Sequence, residues 1–165
     1  MTARPQTIAI GVFLLGLATI LGAWAFQILG GFVPCKLCLE QRIPYYIGLP
    51  LVLIAIISDK AGGPSWLTRG ALALGGIVFL YGAYLGLYHA GVEWAWWEGP
   101  ADCGATGLPT GSGNLLEDLN NIRIVSCTEA SWRFPNGWGL SFAGWNAVIA
   151  TILGLAALIG ATRKA

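Results

Sequence analysis

Cys35 and Cys38 stand with two residues between them in Cys35-Lys36-Leu37-Cys38, and Cys103 and Cys127 complete the chain's four cysteines. A disulfide across a two-residue gap closes a small ring that opens readily to thiolate attack, so this spacing points to thiol–disulfide exchange. A zinc site built on one CxxC needs a second close pair, which Cys103 and Cys127 do not form. A c-type haem needs histidine directly after the second cysteine, and Leu39 is there instead. No metal is expected. The alternative is a pair of structural disulfides in an oxidising compartment, and four cysteines allow three connectivities.

Arg42 and His89 extend the chemistry. A helix beginning at Cys38 or Leu39 would put the Cys38 sulfur at its positive end, where a thiolate is stabilised. Arg42, four residues on, would lie one turn away on the same face and add a charge that cannot be neutralised. This reading makes Cys38 a low-pKa sulfur. Arg42 could also hydrogen-bond a polar headgroup such as a quinone carbonyl. His89, the chain's single histidine, closes the third apolar run at the same depth as Arg42. There it could donate a hydrogen bond to a quinone or pass protons, its plainer use being interfacial packing. Trp94, Trp96 and Trp97 read as an interfacial belt.

The elements that must position these residues are membrane spans. The chain is 56% hydrophobic and 10% charged, where a soluble domain carries about 25% charged residues. A net charge of +1 without a basic cluster argues against a nucleic-acid partner. Four apolar runs lie at about 8–29, 43–58, 70–88 and 140–161, with loops at about 30–42 and 91–139, in a single domain. About 20 helical residues cross a core of about 30 Å. The second run reaches that length only if its helix starts near Leu39 and Arg42 snorkels to the interface. Arg4, Lys60, Arg69, Arg163 and Lys164 face a single acid, Asp59, on one side, while the other side is net acidic. Both termini are therefore expected in the cytoplasm and both cysteine loops outside it. Arg4, the first run and Ala23-Trp24-Ala25 also fit a cleavable signal peptide, but apolar character continuing to Leu29 suits a retained span. Within the long loop, Leu115, Leu119 and Ile122 at helical spacing fit a short amphipathic helix on the outer leaflet, the alternative being a polar loop with scattered leucines.

Pro34-Cys35-Lys36-Leu37-Cys38-Leu39-Glu40-Gln41-Arg42 resembles the CxLCxxxR signature of the bacterial disulfide-bond-formation protein B (DsbB) family. Tyr88-His89-Ala90-Gly91-Val92-Glu93-Trp94 is similar to that family's third-helix end, and Cys103 and Cys127 follow in its order. The vitamin K epoxide reductase type uses the reverse order. The resemblance implies an all-α, four-span enzyme of the bacterial inner membrane that reoxidises a periplasmic DsbA-type dithiol oxidase and reduces a quinone, ubiquinone or menaquinone. It implies catalytic Cys35, Cys38, Cys103 and Cys127, with Cys103–Cys127 as the shuttle disulfide and Cys38 as donor to the quinone. Arg42 would orient the quinone and His89 would line its site. A relay of this kind, from DsbA through DsbB to quinone, keeps the bacterial periplasm oxidising. The segment between Cys103 and Cys127 departs from the family's pattern in length, which bears on partner docking. The competing class is a small membrane scaffold braced by two loop disulfides.

Overall fold

The computed structural model describes residues 5–101, 103, 123–135 and 139–163. Their helices are α1 (Pro5–Ile28), α2 (Lys36–Glu40), α3 (Ile43–Lys60), α4 (Ser65–Glu93) and α5 (Phe142–Thr162). Four stretches are long and apolar enough to cross a membrane: α1, the combined Lys36–Lys60, α4 and α5. The fold is an all-α bundle of four spans. The amphipathic helix expected near 115–122 lies outside the described residues.

Exposure is distributed as lipid contact requires. Leu21, Ile54, Leu74, Ile77 and Leu155 are each 45–58% exposed around the bundle's rim, a cost in water but not among acyl chains. Inside, Phe79, Tyr45, Leu72, Leu153 and Val52 are buried. Small residues let backbones approach. A Cβ on Gly76 would come 3.0 Å from the Gly154 carbonyl oxygen, and one on Gly86 would come 2.7 Å from the Ala147 nitrogen. These contacts bring α4 and α5 together without a hydrophobic driving force, which lipid does not supply.

Local chemistry sets the helix ends. Gly62, at φ 68°, ends α3: its N–H donates to Asp59 O, and the Gly63 N–H donates to Ser58 O at 2.8 Å. That pair of bonds is a Schellman motif, which needs the left-handed conformation glycine adopts freely. Ser141 caps α5 by accepting from the Gly144 N–H at 3.2 Å. Its hydroxyl also donates to Glu93 at the end of α4. At the other end of the bundle, Arg69 Nε donates to Ala161 O at 2.8 Å, and a Cβ on Gly160 would meet Ile8 at 3.3 Å. The starts of α1 and α4 therefore lie beside the end of α5.

The second span begins earlier than Leu39, at Lys36, and is broken at Gln41-Arg42. Pro44, at the second position of α3, has no N–H to offer the Glu40 carbonyl, so the α2 ladder cannot run through. Two short ladders were not expected. β1 (Phe32–Val33) pairs in parallel with β2 (Arg123–Ile124), and β3 (Arg133–Phe134) pairs antiparallel with β4 (Leu140–Ser141). The Val125 N–H extends the first ladder to Val33 O at 3.1 Å.

Candidate functional site

The parallel ladder brings the cysteines together. β1 runs into Cys35 two residues on, and β2 runs into Cys127 three residues on. Cys103 and Cys127 form a disulfide with Cα atoms 6.0 Å apart. Cys35 and Cys38 are thiols with sulfurs 2.8 Å apart. The two pairs share one apolar cluster: Cys35, Cys127, Leu37 and Val92 are buried, with Cys38, Cys103 and Tyr88 packed against them.

The sulfur at the helix start is Cys35, not Cys38 as the spacing had led us to expect. Because α2 begins at Lys36, Cys35 is its N-cap, and its Sγ accepts the Cys38 N–H at 3.3 Å. The pKa of the Cys35 thiol is lowered to about 5. The main cause is the Cys38 S–H donating to its thiolate, with the nearby His89 acting in the same direction against the cost of burial. Cys35 is thus the better-stabilised thiolate, and Cys38 the sulfur that faces open space.

That space is a cavity of about 340 Å³ lined by Cys38, Arg42, His89, Gln41, Gln27 and Asn146 at its polar edge. Phe26, Phe32, Trp132, Phe134 and Phe142 line much of the rest. Phe26 and Phe142 meet edge to face at 4.8 Å, and Trp132 stacks on Phe142 at 4.7 Å. Arg42 does not snorkel outward. It is 8% exposed, donates to Gln27 Oε1 at 2.6 Å and sits 5.2 Å from the centre of the Trp24 ring. A buried guanidinium needs acceptors, and α1 supplies both an amide oxygen and an aromatic face. His89 is buried rather than interfacial, with Nε2 3.9 Å from Cys35 Sγ and Nδ1 2.7 Å from Gln41 Nε2. Trp94, Trp96 and Trp97 pack on one another and on Tyr88, and they do not line the cavity.

A dithiol beside a disulfide, both walled by apolar contacts, is an arrangement for passing an electron pair between sulfurs. The sequence profile described as disulfide bond formation protein DsbB matches residues 5–160, nearly the whole chain. The chain belongs to the DsbB family. No curated protein and no solved structure gives a match. As a member of the DsbB family it is a multi-pass membrane thiol oxidoreductase of disulfide bond formation.

DsbB-family chemistry uses quinones, and the cavity's residues suit one. Its apolar, aromatic walls match a planar ring and an isoprenoid tail, while Arg42 offers N–H donors and Cys38 a sulfur at the same edge. Sequence reasoning missed Gln27, Gln41, Asn146 and Tyr45, which join Arg42 and His89 in the hydrogen bonding around this edge. Gln27 and Asn146 did carry a signal: each is a polar side chain inside an apolar span, where such groups mark sites. Among the described residues, no buried side-chain nitrogen or oxygen lacks a partner.

Proposed function

We propose that this protein is an inner-membrane thiol:quinone oxidoreductase that reoxidises a periplasmic dithiol oxidase of the DsbA type. In this reading both termini are cytoplasmic and both cysteine loops periplasmic. The charge asymmetry of the loops supports that orientation, and the grouping of the α1 and α4 starts with the α5 end fits both termini lying on one side.

The dithiol oxidase gives its electron pair to the Cys103–Cys127 disulfide, leaving itself oxidised and the loop pair as thiols. A loop thiolate then attacks the Cys35–Cys38 disulfide, the loop disulfide closes again, and Cys35 and Cys38 become thiols. Cys35–Cys38 then closes as a disulfide, and a quinone held in the cavity would supply the sink for the two electrons and two protons released. Cys38, which lines the cavity, would lie nearest such a ring, Cys35 forms the new bond to Cys38, and Arg42 would hold the ring at the polar edge. His89 lines the same edge beside Cys35.

The observation that carries this reading is that Cys38 borders both the cavity and the cysteine cluster, while Cys35 borders the cluster alone. Cys38 lines the aromatic cavity, while Cys35 is buried in the cluster that holds Cys127. The test is quinone reduction, followed by absorbance, with purified protein, a reduced DsbA-type oxidase and soluble ubiquinone and menaquinone analogues. Turnover that vanishes in Cys38→Ser and in Cys103→Ser is expected. Full activity in Cys38→Ser would sink the proposed electron route. No turnover with either analogue, in folded protein, would favour a scaffold braced by loop disulfides.

A further inference from the structure

We propose that Gln41 is a positioning residue that holds neutral His89 in the tautomer with its proton on Nε2, so that an N–H is presented to the Cys35 sulfur. The proposal rests on the thiol–disulfide reading of Cys35 given above.

Two backbone carbonyls, which can only accept, fix the polarity of the surrounding amides. The Leu37 carbonyl oxygen lies 3.2 Å from one terminal atom of Gln41, which must therefore be the amide nitrogen. The same nitrogen lies 2.7 Å from His89 Nδ1. An amide NH₂ has no lone pair to offer, so Nδ1 accepts and carries no proton. A second anchor gives the same answer. The Gly82 carbonyl oxygen, at 3.5 Å, identifies Asn146 Nδ2 as the donor end of that amide. Asn146 Nδ2 then donates to Gln41 Oε1 at 2.8 Å, and the Tyr45 hydroxyl donates to Asn146 Oδ1 at 2.7 Å. Turning either amide over would set donor against donor or oxygen against oxygen at several contacts. Neutral imidazole unprotonated at Nδ1 is protonated at Nε2, and Nε2 is the nitrogen 3.9 Å from Cys35 Sγ.

His89 therefore serves Cys35 as a hydrogen-bond donor and not as a base. Its Nε2 already holds a proton, and its Nδ1 faces an amide donor. A donor aimed at the sulfur favours the thiolate, the form that thiol–disulfide exchange uses. The lock has a second consequence. The ligand atoms of Cys35, Cys38 and His89 lie within 4.8 Å of one another, close enough to share a metal ion. A histidine that binds metal donates its other N–H to an acceptor. Here Gln41 presents a donor to that other nitrogen, so the imidazole is turned away from metal ligation.

Because His89 is the chain's single histidine, one long-range ¹⁵N–¹H spectrum of detergent-solubilised protein, with the cysteines reduced, reads its tautomer without assignment. The native protein should show Nδ1 unprotonated and Nε2 protonated. In Gln41→Glu the introduced carboxylate should draw a proton onto Nδ1. In Asn146→Asp, which replaces the donor to Gln41 Oε1 with an acceptor, Gln41 should turn over and Nδ1 should again gain a proton. Gln41→Glu should also tighten Cd²⁺ binding to the reduced protein by roughly 10–100-fold, as an added carboxylate behind a ligating histidine does. A native spectrum with the proton on Nδ1 would overturn the proposal, as would an unchanged spectrum in Gln41→Glu. The spectrum needs neither quinone nor dithiol oxidase, so its failure and the failure of the turnover assay are separate results.

Discussion

Cys35 and Cys127, far apart in sequence, are both fully buried in one cluster with Leu37 and Val92. The backbone bond from the Val125 N–H to Val33 O, at 3.1 Å, ties together the two segments that lead to them. The distance between the cysteine pairs is thus set by main-chain pairing close to the sulfurs and not by the transmembrane helices alone.

Breaking that tie should uncouple the pairs without removing a cysteine. Val125→Pro deletes the donor to Val33 O. The Cys103–Cys127 disulfide should still form and still be reduced by a dithiol oxidase, while exchange with Cys35–Cys38 slows. Trapping thiols with a mass tag during turnover should show the loop pair accumulating in the reduced state. A variant with native exchange rates would show that the ladder does not set the approach of the pairs.

Gln27 should matter to the quinone through Arg42. Its Oε1 accepts from the guanidinium at 2.6 Å, and losing a bond to a charged group costs about 1.5 kcal/mol, or roughly tenfold in an equilibrium. Gln27→Leu should raise the apparent KM for quinone by about that factor, with kcat for bound quinone less affected and both disulfides still formed. Arg42→His should raise the KM further. Steady-state kinetics over a range of quinone concentrations would measure both, and an unchanged KM in both variants would remove Arg42 from the proposed quinone site.

The reduced protein should gain stability with pH. Folding lowers the pKa of the Cys35 thiol from 9.0 to about 5, chiefly through the bond from Cys38. Between those values the unfolded chain binds a proton that the folded chain has released. The stabilisation is therefore complete above the unfolded value and is lost as pH falls through about 5. Thermal unfolding of the reduced protein should show Tm rising between about pH 5 and about pH 9, with a shallower rise in Cys35→Ser. Thiolate absorbance in the ultraviolet should follow the same titration. Equal pH slopes in the two proteins would contradict the assignment of the stabilised thiolate to Cys35.

Far from the sulfurs, Gly154 tests the bundle itself. A Cβ there would meet Leu80 at 2.7 Å and the Gly76 carbonyl oxygen at 3.0 Å. Gly154→Leu should force α4 and α5 apart at a cost of about 1–3 kcal/mol. It should appear as a lower Tm in detergent, with the quinone KM near native at temperatures where the variant stays folded.

The architecture was legible in composition along short stretches. Four apolar runs required four spans, because backbone groups in lipid must bond within their own helix. The charges between the runs and the CxxC, Arg42 and His89 spacings were legible for the same reason: each is a local pattern, or one repeated by a span's fixed length. The rest came from packing between elements. Which sulfur caps a helix depended on where α2 starts, and Pro44 broke that helix from its continuation. Arg42 turned inward because Gln27 and Trp24 on α1 satisfy it better than the interface alone, and no pattern within the Cys38–Arg42 segment contains α1. The ladder between β1 and β2, two residues in each strand, is too short to leave a periodic trace. The proton position on His89 depends on Gln41, Asn146 and two carbonyls drawn from three helices. Such contacts are specified by packing, in which residues distant along the chain fix one another's hydrogen-bond polarity.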